Sequence, residues 1–169
     1  MIQGFPPIAD EDARILILGT VPSRLSLERA EYFANPRNAF WRIIEALFAD
    51  GRRLSYPGRE QRLKSSGVAV WDVLAAASRD DSSLDNDIRD PVPNDIEGFL
   101  TEHPAVRSIF FNGATAERLF RDHVAPTLSR RDGLRLVRLP STSPANAALS
   151  FADKVEAWRV VLAAARPTS

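Results

Sequence analysis

The chain has 169 residues, with 22 Lys and Arg balanced by 22 Asp and Glu, no cysteine and only two histidines. The missing cysteines exclude disulfides, thiol catalysis and a cysteine-held zinc or iron–sulfur cluster, and two imidazoles make a transition-metal site improbable. Balanced charge argues against bulk nucleic-acid binding through phosphates and leaves room for a local basic patch.

Hydrophobic residues are 44% of the chain and charged residues 26%, the ordinary globular range. No apolar run is long enough to span a membrane, and Met1 to Ala13 lack a basic-then-apolar leader pattern. The expectation is one cytoplasmic domain over 1–169, acting as a monomer, with no membrane partner, metal or other cofactor.

After a Pro-bearing lead-in, Ile15 to Leu18 form a short apolar run closed by Gly19, the signature of a parallel strand covered on both faces. Helices are predicted over about 24–33 and 38–49, joined by Asn35-Pro36-Arg37-Asn38. Residues 50–66 read as a basic connection with one short helix. Val68 to Val73 read as a second strand running into Leu74 to Ala77. Residues 78–94 are polar, end in two prolines and read as a loop. Asn94 is placed to cap a helix over 95–103, since its side chain can accept from free backbone donors. Val106 to Phe111 form a third strand stopped at Asn112-Gly113, followed by a helix over 114–123. Leu134 to Leu139 form a fourth, which meets Pro140-Ser141-Thr142-Ser143-Pro144. A last amphipathic helix spans 151–165, with Val155, Trp158, Leu162 and Ala165 at helical spacing. The alternation predicts an α/β fold, a three-layer α/β/α sandwich on a short, four-stranded, mainly parallel sheet.

In open parallel sheets, ligands bind beyond the carboxyl ends of the strands. Here those ends carry Gly19-Thr20-Val21-Pro22-Ser23, Trp71-Asp72, Asn112-Gly113 and Pro140-Ser141-Thr142-Ser143. One acid with amides and hydroxyls suits binding a polar heterocycle and steering a water. No nucleophile–histidine pairing, Walker loop or Gly-x-Gly-x-x-Gly is present. Two basic runs, Arg52, Arg53, Arg59, Arg62 and Lys64, then Arg130, Arg131, Arg135 and Arg138, read equally as solvated faces or as a backbone-binding rim. Asp80, Asp81, Asp85, Asp87, Asp90 and Asp95 form an acidic stretch between them.

Taken together, Ile17 to Ser23 with Ser26-Leu27, Tyr32 to Trp41, Gly67 to Leu74, Phe110 to Gly113, Leu139 to Ala145, and Phe151, Lys154 and Trp158 resemble the uracil-DNA glycosylase superfamily. The likeness is strongest to its hypoxanthine-DNA (deoxyinosine) glycosylase branch, and covers most of the chain. It implies a monofunctional DNA glycosylase acting on DNA that contains a deaminated base.

The resemblance also implies roles. Many members carry an Asp or Asn in the first motif to position the hydrolytic water. Thr20-Val21-Pro22-Ser23 has neither, and the catalytic asparagine of the hypoxanthine branch maps to Asn38. A plain helix cap is the competing reading of Asn38. Phe40 matches the aromatic on which the flipped base stacks, or is core beside Trp41. Asp72 falls at a base-reading position, or is a cap or ion-pair residue. Gly19, Thr20, Pro22 and Asn112 complete the base-binding set, with an Asn-Gly turn as the alternative for Asn112. Ser23, Ser141, Thr142 and Ser143 match loops that hold DNA phosphates, or are a rigid turn. Ala145 and Asn146 stand where relatives insert a wedge, and neither is large and apolar. His103 and His123 are expected at the surface. The alternatives to hypoxanthine excision are uracil excision on the same scaffold and a non-catalytic nucleic-acid-binding module. An esterase-like hydrolase has no nucleophile–histidine arrangement behind it.

Overall fold

The computed structural model describes residues 1–79, 88–129 and 132–167. Asp80, Asp81, Asp85 and Asp87 of the acidic stretch, and Arg130 and Arg131 of the second basic run, lie outside the described residues.

Four parallel strands form the central sheet: β2 (Ile15–Gly19), β3 (Val68–Asp72), β6 (Ser108–Asn112) and β7 (Arg135–Leu139), in the order β3-β2-β6-β7. Every residue of β2 is buried, as expected of a strand with helices on both faces. Successive side chains alternate between the faces. Ile15 and Ile17 pack with α2 (Phe40–Phe48), α3 (Tyr56–Ser65) and α6 (Phe151–Ala165), through Phe40, Ile44, Leu63 and Trp158. Leu16 and Leu18 pack with α4 (Ile96–Glu102) and α5 (Ala114–His123), through Phe99, Leu100, Leu119 and Phe120. Each such fully buried aliphatic side chain contributes about 2 kcal/mol of transfer free energy. The three-layer α/β architecture is therefore as the alternation predicted. Among the described residues no helix is long and apolar enough to cross a membrane.

Three elements depart from expectation. The first helix, α1, is only Arg24–Arg29, because Ala30 turns left-handed at φ 54° and Phe33 does so again at φ 51°. The segment 78–94 is not wholly a loop. Arg89–Pro93 is a strand, β5, in a second, antiparallel sheet of order β1-β4-β5 with Ile2–Gln3 (β1) and Leu74–Ser78 (β4). Pro91 and Pro93 are tolerated because β5 is an edge strand, where a missing N–H breaks no inner ladder. The cap of α4 is Asp95, whose Oδ1 accepts from Gly98 N–H at 2.9 Å. Asn94 instead donates from Nδ2 to the Asp72 carbonyl at 2.8 Å.

Candidate active site

The in-register parallel pairing brings Gly19 beside Asp72 and Asn112 beside Leu139. All four strand ends thus reach one edge of the sheet, and a cavity of about 690 Å³ opens there. Its lining includes Gly19, Thr20, Pro22, Ser23, Asn38, Asp72, Asn112, Ser141, Thr142 and Ser143. Ten of the eleven site residues expected from the sequence are therefore gathered by the fold, and Phe40 is the exception.

The floor is Gly19. A Cβ there would lie 2.6 Å from Asp72 Oδ1 and 3.3 Å from Phe33 Cζ, so glycine admits both the carboxylate and the ring. Asp72 is 4% exposed. Its backbone is fixed on both sides, by Asn94 and by Val73 N–H donating to the Gly19 carbonyl at 2.8 Å. Burial, with the nearby Asp72 charge adding, raises the Tyr32 phenol well above the ordinary tyrosine range. Its hydroxyl donates to the Pro6 carbonyl at 2.8 Å.

Phe40 is fully buried at 0% exposure and does not line the cavity. Three rings do, Phe5, Tyr32 and Phe33, and Phe33 is stacked on Phe40 with centroids 4.1 Å apart and planes at 25°. Phe40, expected from the resemblance to face a flipped base, is instead core: the helix starts at Phe40 and turns that ring inward, beside Trp41 and Trp158. Phe33 was hidden from sequence reasoning by its left-handed φ, which no helical pattern over 24–33 anticipates. Trp41 is core as well, with its indole N–H donating to the Tyr32 carbonyl at 2.7 Å.

Asn38 is half-buried on the wall. Its Oδ1 accepts from Phe40 N–H at 2.9 Å, and its own N–H donates to the Asn35 carbonyl at 2.8 Å. The side chain closes a two-residue turn ahead of α2 and is not its cap, since the N-cap is Ala39 and carries no side-chain cap bond. That turn orients the amide, because a carbonyl oxygen has two lone pairs and the backbone occupies one.

Thr142 is 1% exposed, so it offers nothing to a DNA phosphate; the expectation of a backbone contact there is corrected. Its Oγ1 accepts from Asn112 Nδ2 and its N–H donates to Asn112 Oδ1, both at 2.9 Å. Its carbonyl accepts from Ala39 N–H at 3.0 Å. Asn112 is thus committed to the loop and not to an Asn-Gly turn alone. Ser141 and Ser143 are half-buried. Their hydroxyl oxygens accept from the N–H groups of Ser143 and Ala145, at 3.1 and 3.2 Å, which leaves each hydroxyl proton to donate. Asn146 is tied into the same turn, donating from Nδ2 to the Ser141 carbonyl at 3.1 Å, beside the small, exposed Ala145. Ser23 caps α1 by accepting from Ser26 N–H at 3.2 Å. Two cations unassigned from sequence, Arg37 and Arg79, complete the rim; Arg79 donates to the Pro22 carbonyl at 2.7 Å.

Comparison with known proteins adds the lineage. The sequence model of the Uracil DNA glycosylase superfamily matches residues 6–162. A Hypoxanthine DNA glycosylase of Methanosarcina acetivorans is 36% identical over 160 residues, covering 94% of this chain and 96% of the relative. A Hypoxanthine DNA glycosylase of Methanosarcina barkeri is 34% identical over 112 residues, covering 66% of this chain and 70% of the relative. The solution NMR structure of a candidate uracil DNA glycosylase from Methanosarcina acetivorans superposes with a TM-score of 0.76 at 35% identity, covering 95% of each chain. A match over nearly the whole length, with the expected motifs gathered around one cavity, makes this chain a member of the uracil DNA glycosylase superfamily.

Proposed function

We propose that this protein is a monofunctional DNA glycosylase that removes hypoxanthine from deoxyinosine in DNA. The observation that carries the reading is the meeting of Asn38, Asp72 and Phe33 around one cavity. The names of its relatives support the choice of base.

A base inside a duplex is out of reach of such a cavity, so the nucleotide is extruded, at least cost where it is mispaired. Phe33 offers a flat apolar face to the extruded ring. Asp72, as a carboxylate, accepts a hydrogen bond from the N1–H of hypoxanthine. Adenine has a lone pair at that position and meets the same carboxylate unfavourably.

With the base held, the free lone pair of Asn38 Oδ1 holds a water against the anomeric carbon. The water oxygen bonds to C1′ as the bond to the base nitrogen breaks. That electron pair leaves with the base, and the proton the water gives up reaches the base through solvent. The sugar is cation-like at the crossing point. A neutral amide therefore acts by orientation and by its dipole, and not as a strong base. The product is an abasic site. No lysine lines the cavity among the described residues, so no Schiff-base lyase step is assigned.

The test is a panel of duplexes containing inosine, uracil or xanthine, incubated with the protein and then cleaved at abasic sites with alkali. Inosine is expected to give product first, and Asn38→Ala to give none. Binding without product from any base would reduce the chain to a nucleic-acid-binding module.

A further inference from the structure

A second cavity, of about 550 Å³, lies behind the loop that carries Asn38 and shares Phe33, Asn35 and Asn38 with the first. Its lining holds four arginines, Arg29, Arg42, Arg53 and Arg59, against two glutamates, Glu31 and Glu45. In a chain of zero net charge this is a concentrated positive patch. Glu45 is already used. Its Oε2 accepts from Arg59 Nε at 3.0 Å and from Leu54 N–H at 2.7 Å. Arg29, Arg42 and Arg53 are exposed, and among the described residues none of them is paired with a carboxylate. Arg42 lies 4.8 Å over the ring of Phe151, a large apolar side chain 40% exposed.

We propose that this second cavity takes the sugar–phosphate backbone of the damaged DNA strand beside the extruded nucleotide, with Arg29, Arg42 and Arg53 on its phosphates. The inference rests on the glycosylase reading for its choice of polyanion. A strand whose nucleotide enters the first cavity has its neighbouring phosphates at the loop between the two cavities, because that loop is a wall of both. Arginine forks match phosphate oxygens, and an exposed aromatic beside them stacks a base without sequence preference. A local excess of positive charge is also felt at Lys154. It is 6% exposed, and its pKa is lowered by burial first and by Arg42 second. The site divides the basic run 52–64. Arg59 and Arg62 are spent on Glu45 and on the Phe48 carbonyl, whereas Arg53 faces the cavity.

The experiment measures the dissociation constant for a duplex carrying a tetrahydrofuran abasic analogue across a series of potassium chloride concentrations. Each phosphate contact contributes about 0.9 to the slope of log affinity against log salt. The triple variant R29A/R42A/R53A is expected to lose about 2 to 3 from the slope, and R29K/R42K/R53K to recover it. The control is R107A/R135A, at the opposite, amino-terminal edge of the sheet, where both side chains are exposed. A triple-alanine slope equal to wild type overturns the proposal. So does a control slope that falls as far as the triple variant's. Because binding is read without chemistry, a wild type that binds but excises nothing defeats only the glycosylase reading. A wild type with no salt-dependent binding defeats both.

Discussion

Asn112 and Thr142 hold each other twice, side-chain amide to hydroxyl and backbone N–H to side-chain carbonyl, each at 2.9 Å across 30 residues of chain. The Thr142 carbonyl then receives Ala39 N–H, next to Asn38. The end of β6 is therefore linked through one buried threonine to the residue assigned to chemistry. Loss of this link is expected to loosen Asn38. Asn112→Ala strands two buried groups of Thr142 and is expected to cost about 3 kcal/mol of stability. Single-turnover excision is expected to fall about 100-fold, the order for a misplacement of about 1 Å. Thr142→Ser keeps both bonds and is expected to restore the rate; if it is as slow as Asn112→Ala, the link does not position Asn38.

The two jobs of Asn38 are separable. Asn38→Ala removes the acceptor for Phe40 N–H and is expected to cost about 1 kcal/mol along with all excision. Asn38→Ser supplies another short acceptor for Phe40 N–H, so stability is expected to return while excision stays lost. Recovery of both together would make Asn38 a turn residue and nothing more. Denaturant midpoints read beside product formation decide between the two.

Phe33 and Phe40 are predicted to behave oppositely although their rings stack. Phe33→Leu is expected to weaken excision of an extruded base at nearly unchanged stability. Phe40→Ala is expected to cost about 4 kcal/mol, since its ring is enclosed by Phe33, Trp41 and Trp158. A base-selective rate change from Phe40→Leu at unaltered stability would return the stacking role to Phe40.

Gly19→Ala is expected to push the Asp72 carboxylate from its place, because the added methyl would stand 2.6 Å from Oδ1. Excision of hypoxanthine is expected to fall at least tenfold in Gly19→Ala. Asp72→Asn is expected to change the ratio of inosine to uracil rates more than DNA affinity. In a double-mutant cycle the two losses are expected to be less than additive, the mark of residues in contact. Strict additivity would separate the floor from the carboxylate.

Alkali should destabilise the fold through its buried phenols. Burial raises Tyr32, and raises Tyr56 from 10.0 to about 12. The unfolded chain ionises these groups near pH 10, so above that pH the native state holds more protons and stability falls as pH rises. Below pH 10 the contribution is complete. Tyr32→Phe is expected to flatten the decline measured by denaturant melts between about pH 10 and pH 12. An unchanged slope would exclude Tyr32 as its source.

The strand ends were legible because short apolar runs closed by Gly19, Asp72, Asn112 and Pro140 repeat one pattern, and parallel strands place such ends on one edge. Asn38 was legible through the resemblance of its loop. Phe33 was not, since its position depends on two left-handed residues that end α1 early. Nor was β5, because Arg89 to Pro93 has no alternating apolar pattern and is a strand only by pairing with β4.

Local order in the chain was enough to determine the central parallel sheet and the placement of most helices, and the resemblance of its motifs pointed to the superfamily and to ten of the residues around the first cavity. The elements follow from periodicity and turn chemistry, which act over a few residues, whereas the site residues follow from what the resemblance implies. Tertiary structure alone decided that Phe33 and not Phe40 reaches the cavity, that Thr142 is a buried link to Asn112, and that Arg29, Arg42 and Arg53 share one wall. Each depends on side chains from distant segments packing together, and no pattern in a linear sequence encodes that distance.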